Sequence, residues 1–433
     1  MTNSADVDAA LAAINQERLA KLITALVNIH SPTGDERSAT RFLTKMMSDS
    51  GFATAHYELG SSSGAMAAHL EGSQPGPQIL LYAPIDTHLS ADDASDVPWV
   101  GPYLRPDMKP NAQRDGDDFI VGLGAGNPKS MVAVLVEAAL AFVDSNTAFN
   151  GTLSFATAGG GMPWHVDSDT GLSSGIGALL SSGLQPDAAV IMKPWDDVYY
   201  EHPGLAWFKI SVKGDLGYAG IPHGVPGFRN AIKSATKLMQ IFQAWLEDYP
   251  DRHETDQVRP EGWIGAVRAG WPEKPTFPPA TAQFWMDIRL SPGQTVADLC
   301  DEVDNLIQKA MREDLEIDAD WALETSIPAA RTPPDHWIIR SAKRAWESQH
   351  GKEYPGAPKM AGQTDAARIA DNGIPIVRIG FPFLDPERTP APYRDGLGGM
   401  GVAYLPDLIH AAHMTVRLLI DAFSAANTTQ EKP

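Results

Sequence analysis

Three apolar runs, each ending on a distinctive residue set, constrain this chain more than any other feature. They are QILLYAPID, which reaches Asp86, TLSFATAGGG, which ends on Gly159, Gly160 and Gly161, and DAAVIMKPW, which ends at Lys193. Runs with so little polar alternation suit strands covered on both faces, as in an α/β sheet. Ligands of open α/β folds bind outside the carboxyl ends of the strands, so these three ends mark the place to look for a site. Ahead of them, apolar spacing predicts a helix over residues 10–30, stopped at Pro32, and a second from Glu36 to Met47. Between the first two runs, GLGAGNPKSMVAVLVEAALAFV reads as a glycine turn entering a helix at about Lys129.

The pattern changes near Gly204. LAWFKISVKG alternates as a half-buried strand should, NAIKSATKLMQIFQAWLED is amphipathic, and TAQFWMDIRLSPG is a further strand before a helix from Thr295 to Arg312. That order is expected of a small inserted two-layer domain. After Trp321 the α/β character returns, with HWIIRSAKRAWES as a helix, IPIVRIG as a buried strand and LPDLIHAAHMTVRLLIDAF as a closing helix. The expected fold is therefore an α/β/α domain with a mostly parallel sheet, over residues 1–204 and 323–433, interrupted by a smaller α+β lid over residues 205–322.

Composition excludes several classes. Of 433 residues 43% are hydrophobic and 20% charged, enough for a sizeable core. A formal charge of -20 opposes binding to nucleic acid or an anionic membrane. Cys300 is the sole cysteine, so no intrachain disulfide forms. The first residues lack a basic segment followed by an apolar core, and the apolar stretch from Val132 to Val143 is broken by Glu137. A cytoplasmic location is expected.

Polar groups near the strand ends are Asp86, His88, Asn127, Lys129, His165, Lys193, His202, Thr364 and Asp365. Each also has a plain structural reading: Asp86 as a cap, the histidines as loop residues, Lys193 in a salt bridge, and Thr364 with Asp365 capping the helix AARIADN. GLGAGN fits neither a dinucleotide fingerprint nor a phosphate loop. Trp99, Trp164, Trp195 and Phe381 could line an aromatic wall or simply pack.

The stretches LLYAPIDTH, GLGAGNPKSMVAVLVEA, TLSFATAGGG, AAVIMKP, GLAWFKISVKG, RNAI, DIRLSPG and GQTDA run in the order seen in the zinc aminoacylase and carboxypeptidase family, which includes acetylornithine deacetylase, succinyl-diaminopimelate desuccinylase and glutamate carboxypeptidase. The chain resembles that family over nearly its whole length. The resemblance implies an α/β domain holding two zinc ions and a lid that often dimerises, hence a homodimer through the inserted domain. Most of the ligand side chains it implies are missing. The first histidine aligns with Pro84, and its supporting aspartate is retained as Asp86. The bridging aspartate is Asn127, the paired glutamates fall in Gly159 to Gly161, and the next carboxylate is Lys193. The lid histidine aligns with Tyr218, and lid contacts to a substrate carboxylate map to Asn230 and Arg289, which can equally stabilise the lid itself.

Zinc requires deprotonated donors, usually four per ion, and this set does not supply them. No metal or other cofactor is therefore expected, and an Asp86–Lys193 pair is expected to take the place of the first metal. Three uses of such a cleft stay open. One is a metal-independent hydrolase of a small amide or related carbonyl compound, with Asp86, His88 or His165 activating water, Asp365 assisting, and Lys193 with the glycine-loop amides receiving an oxyanion. Here Asn127, Lys129, Gly160, Tyr218, Asn230, Arg289 and Thr364 would contact substrate. The second is an enzyme in which Lys193 is an amine nucleophile. The third is an inactive relative that binds a small ligand or serves a structural role.

Overall fold

The computed structural model describes residues 4–162, 172–221, 226–382, 384, 387–390, 393 and 400–430. The chain forms two compact units, residues 1–200, 332–357 and 368–433 in the first and residues 201–331 and 358–367 in the second.

The first unit opens with α1 (Ser4–Ala12), α2 (Gln16–Asn28) and α3 (Arg37–Asp49). The single helix expected over residues 10–30 is in fact two, because Asn15 caps α2 by accepting a hydrogen bond from Arg18 N at 2.9 Å. There follow β1 (Ala53–Leu59), β2 (Ser63–Glu71), β3 (Gln78–Tyr82), α4 (Asp93–Val100), β4 (Gln113–Asp115), β5 (Phe119–Val121), α5 (Ser130–Asp144), β6 (Thr152–Ala158), α6 (Ser174–Ser181) and β7 (Ala188–Pro194).

The second unit contributes β8 (Glu201–His202), β9 (Gly204–Lys213), α7 (Ala231–His253), β10 (Gly262–Ala269), β11 (Thr281–Leu290), α8 (Val296–Glu313), β12 (Ala319–Ile327) and β13 (Ala330–Arg331). The chain then runs through α9 (Trp337–His350), α10 (Ala366–Asp371), β14 (Ile376–Phe381), β15 (Val402–Tyr404) and α11 (Leu405–Gln430).

The main sheet of the first unit has the order β1-β2-β6-β3-β7-β14. Strand β3 pairs in parallel with both β6 and β7, and β14 pairs in parallel with β7, while the β1–β2 hairpin adds an antiparallel edge. Strands β6, β7 and β14 are buried along almost their whole lengths, which is why they read as continuous apolar runs. Tyr82 stands opposite Ala156 on one side and Ile191 on the other. The segments after β3, β6 and β7 therefore leave one edge of the sheet together.

Helix α5 with its leading turn is long and apolar enough to cross a membrane, but 89% of that window is buried, so it is a core helix. The charge within it, Glu137, is held by Arg18 Nε at 2.7 Å, Arg18 Nη2 at 2.8 Å and Asn15 N at 2.6 Å. A buried carboxylate tolerates such a position only with donors of this kind.

In the second unit the antiparallel sheet β10-β11-β9-β12 packs against α7 and α8. Alternate residues Phe208, Ile210 and Val212 of β9 and Phe284, Met286 and Ile288 of β11 meet Leu238 and Phe242 of α7 and Val303 and Ile307 of α8 in one core. The expected lid boundaries need correction. Strand β12 runs to Ile327, and β13 pairs Ala330 with His202 and Arg331 with Glu201, so the α/β character does not return directly after Trp321. Long-range strand pairing sets this edge, and the local pattern carries no trace of it. Residues 358–367 join the unit through Met360, whose N–H donates to Gln257 O at 3.0 Å and whose carbonyl accepts from Arg259 N at 3.1 Å.

Phe284 is fully buried and packs edge to face on Phe242 at 5.9 Å between centroids. Phe284→Ala is expected to destabilise the second unit by about 3–5 kcal/mol. Denaturant unfolding followed by tryptophan fluorescence checks this, and a loss below about 1 kcal/mol would contradict the packing described.

Candidate active site

Asp86 lies just past the end of β3, fully buried. Its Oδ1 accepts from Gly161 N at 3.0 Å, and its Oδ2 accepts from Met162 N at 3.0 Å and from Thr33 Oγ1 at 2.7 Å. The loop after α2 is stitched to the same segment, with Thr87 N donating to Ser31 O at 2.8 Å and Ser31 Oγ to Ile85 O at 3.1 Å. The carboxylate thus gathers three chain segments at the sheet edge. This geometry also revises an expectation: the amides of Gly161 and Met162 point at Asp86 and are not free to receive an oxyanion.

Glu36 is the site residue that sequence reasoning passed over, reading it only as a helix start. It is fully buried, and Gly34 N donates to its Oε1 at 2.5 Å. A Cβ at position 159 would run into its carboxyl group, so Gly159 provides the space that Glu36 occupies. Burial, reinforced by the charge of Asp86, pushes the Glu36 carboxyl up to about 7. The available signal was an acidic residue closing the tight turn SPTGDE just ahead of α3.

Lys193 is buried at the next-to-last position of β7, opposite Gly380 of β14. A side chain at Gly380 would collide with the Lys193 carbonyl, so glycine lets the two strands close there. His88 is half-buried two residues beyond Asp86. Asn127 adopts an extended backbone in the turn before α5, and its N–H donates to Met400 O at 3.0 Å. Gly160 has a φ of 78°, which glycine adopts without strain. His165 and Trp164 lie outside the described residues.

Lys129 does not face a ligand. It is fully buried, and its Nζ donates to Leu26 O and Ile29 O, both at 2.7 Å, closing the carboxyl end of α2. Burial pushes this ammonium down to about 7.

The remaining candidates belong to the second unit. Asn230 is the N-cap of α7, accepting from Ile232 N at 3.0 Å and Lys233 N at 3.1 Å. Arg289 forms a two-pronged pair with Asp287 at 2.7 and 2.9 Å. Tyr218 is half exposed beside Phe277, at 6.0 Å between ring centroids. Thr364 Oγ1 accepts from Ala366 N at 3.2 Å at the start of α10, and Asp365 beside it is buried. Asn230, Arg289 and Thr364 thus have structural roles that sequence reading had weighed beside substrate contact.

Comparison with known proteins agrees with this architecture. Residues 200–315 match the model of the peptidase dimerisation domain, M20_dimer. The chain is 26% identical over 376 residues to a succinyl-diaminopimelate desuccinylase from Methylorubrum extorquens, an alignment covering 83% of this chain and 90% of that one. Among solved structures it resembles human carnosine dipeptidase 1, with a TM-score of 0.72 and 15% identity over 96% of this chain and 99% of that one. It also resembles an M20 family metallo-carboxypeptidase from Sulfolobus solfataricus, with a TM-score of 0.69 and 14% identity over 94% and 99% of the two chains. The fold and the inserted domain are those of the M20 class. Together the matches show a second unit similar to the M20 dimerisation domain and an overall fold similar to that of M20 peptidases.

Glu36 generates a pH prediction. Its carboxyl is raised from 4.5 to about 7 on folding, so its contribution to stability is full below about pH 4.5 and is lost as pH rises through 7. The loss should reach about 3 kcal/mol across that window. Glu36→Gln should flatten the dependence, which urea unfolding from pH 4.5 to 8 would show; parallel curves for the two proteins would refute the assignment.

Proposed function

We propose that this protein is a hydrolase of a small amide or peptide-like substrate whose strand-end cleft works without the two metal ions of its family. The observation that carries the reading is the convergence of Asp86, the glycine loop and Lys193 at one edge of three adjacent parallel strands, β6, β3 and β7. The donors there do not fit a dinuclear zinc centre. Pro84 and Gly159 to Gly161 offer no side-chain ligand, Lys193 brings a cation, and both oxygens of Asp86 already accept hydrogen bonds from the chain.

With Asp86 engaged in holding the loop, His88 is the better general base. It takes a proton from water, the oxygen attacks the substrate carbonyl, and the Lys193 ammonium stabilises the oxyanion. The imidazolium then returns the proton to the departing nitrogen. The dimerisation-domain match supports a homodimer through the second unit, and the acidic composition weighs against nucleic acid and anionic membrane as partners.

The test is hydrolysis of a panel of N-acyl and N-carbamoyl amino acids and small peptides, before and after chelation. Turnover should survive chelation, and His88→Gln and Lys193→Met should each lower kcat by about 100-fold or more with the fold intact. Turnover abolished by chelation and restored by zinc, with both variants unaffected, would refute the mechanism.

A further inference from the structure

We propose that Asp196, His350 and His410 form a binding site for a divalent transition-metal ion of the zinc class, built from residues unrelated to the aligned ligand positions. All three belong to the first unit. Asp196 follows β7, His350 ends α9, and His410 lies in the second turn of α11.

One ligand atom from each residue can be chosen so that all three lie within 4.8 Å of one another. His350 Nε2 is 2.8 Å from Asp196 Oδ2, and His410 Nε2 is 3.7 Å from the same oxygen. Tetrahedral zinc with bonds of about 2.0–2.1 Å holds its ligands about 3.3 Å apart, so modest side-chain movement suffices. Imidazole nitrogen and carboxylate oxygen are donors zinc accepts, and three protein ligands leave one position open.

Hydrogen bonding decides that a cation belongs here. His350 Nδ1 lies 2.9 Å from Trp346 O, a carbonyl that can only accept, so Nδ1 carries a proton. In the neutral ring Nε2 is then a lone pair facing a carboxylate oxygen. Two acceptors in contact need a proton or a metal ion between them. A proton on His350 would satisfy that contact alone. It would leave Asp196 Oδ1 and His410 Nε2, both buried, without a hydrogen-bond partner. A metal ion draws on all three residues, and the Nδ1–H to carbonyl bond is the usual means of orienting a ligand histidine.

The surroundings are built to hold the aspartate. Trp346 Nε1 donates to Asp196 O at 2.9 Å, the Trp346 ring stacks on His350 at 3.9 Å, and Trp195 takes a φ of 84° that an aromatic residue adopts only at a cost. The Asp197 and Asp407 carboxyls lie close enough to add negative potential, partly offset by Arg378 and Arg388. Gln349 Nε2 lies 3.1 Å from His410 Nδ1 while its Oε1 accepts from Arg417 Nε at 3.1 Å, so loading requires the Gln349 amide to turn, present its oxygen to His410 and give up the Arg417 bond. Bound metal would tie the end of β7 to α9 and α11.

The test uses the full chain, stripped by chelator, then titrated with zinc by calorimetry and with cobalt by visible absorption. One site per chain is expected, with tetrahedral cobalt bands and a higher Tm on loading. The His350→Gln/His410→Gln variant should weaken zinc binding about 100-fold or more, and Asp196→Asn provides a second probe if that variant does not fold. Asp86→Asn should bind zinc unchanged. No binding at all, or equal zinc affinity in the wild type, the histidine variant and Asp86→Asn, would overturn this site while leaving the metal-free cleft standing. Zinc binding lost in Asp86→Asn but kept in the histidine variant would overturn both.

Discussion

A carboxylate sealed from water must be given donors by the chain, and Asp86 obtains three of them from two separate segments. The amides of Gly161 and Met162 come from the loop after β6, and the Thr33 hydroxyl comes from the turn between α2 and α3. Those bonds fix where the loops lie at the sheet edge. Glu36 fills the space that Gly159 leaves, and burial together with the Asp86 charge raises its pKa. The fold supplies the edge, and Asp86 organises what is built on it.

The fold was legible because its central strands announce themselves. Strands covered on both faces need unbroken apolar runs, and QILLY, TLSFATA and AAVIMKP are such runs. The alternation in β9 and β11 marked a half-covered sheet in the same way. Less legible was where the second unit ends, since β13 is two residues long and exists through its pairing with β8. The capping roles of Asn230 and Thr364 follow from local rules and were foreseeable; the Lys129 clamp on α2 depends on a contact across about a hundred residues.

Sequence separation also hid the Asp196, His350 and His410 cluster. These residues share no spacing motif, and only the packing of α9 against α11 and the turn after β7 bring them together. Glu36 was hidden for a different reason. An acidic residue at the start of a helix is ordinary, and what sets this one apart is the absent side chain at Gly159 far along the chain. In both cases the chemistry lies in what a neighbour lacks or leaves unmet.

The cleft proposed at Asp86, His88 and Lys193 and the cation proposed at Asp196, His350 and His410 use separate residues of the first unit. Anomalous scattering at the zinc edge, from crystals of the full chain equilibrated with zinc, tests that separation in one map. A single peak bounded by Asp196, His350 and His410, with none beside Asp86 and Lys193, is the predicted result. One or two peaks beside Asp86, with none at the histidine pair, would contradict it.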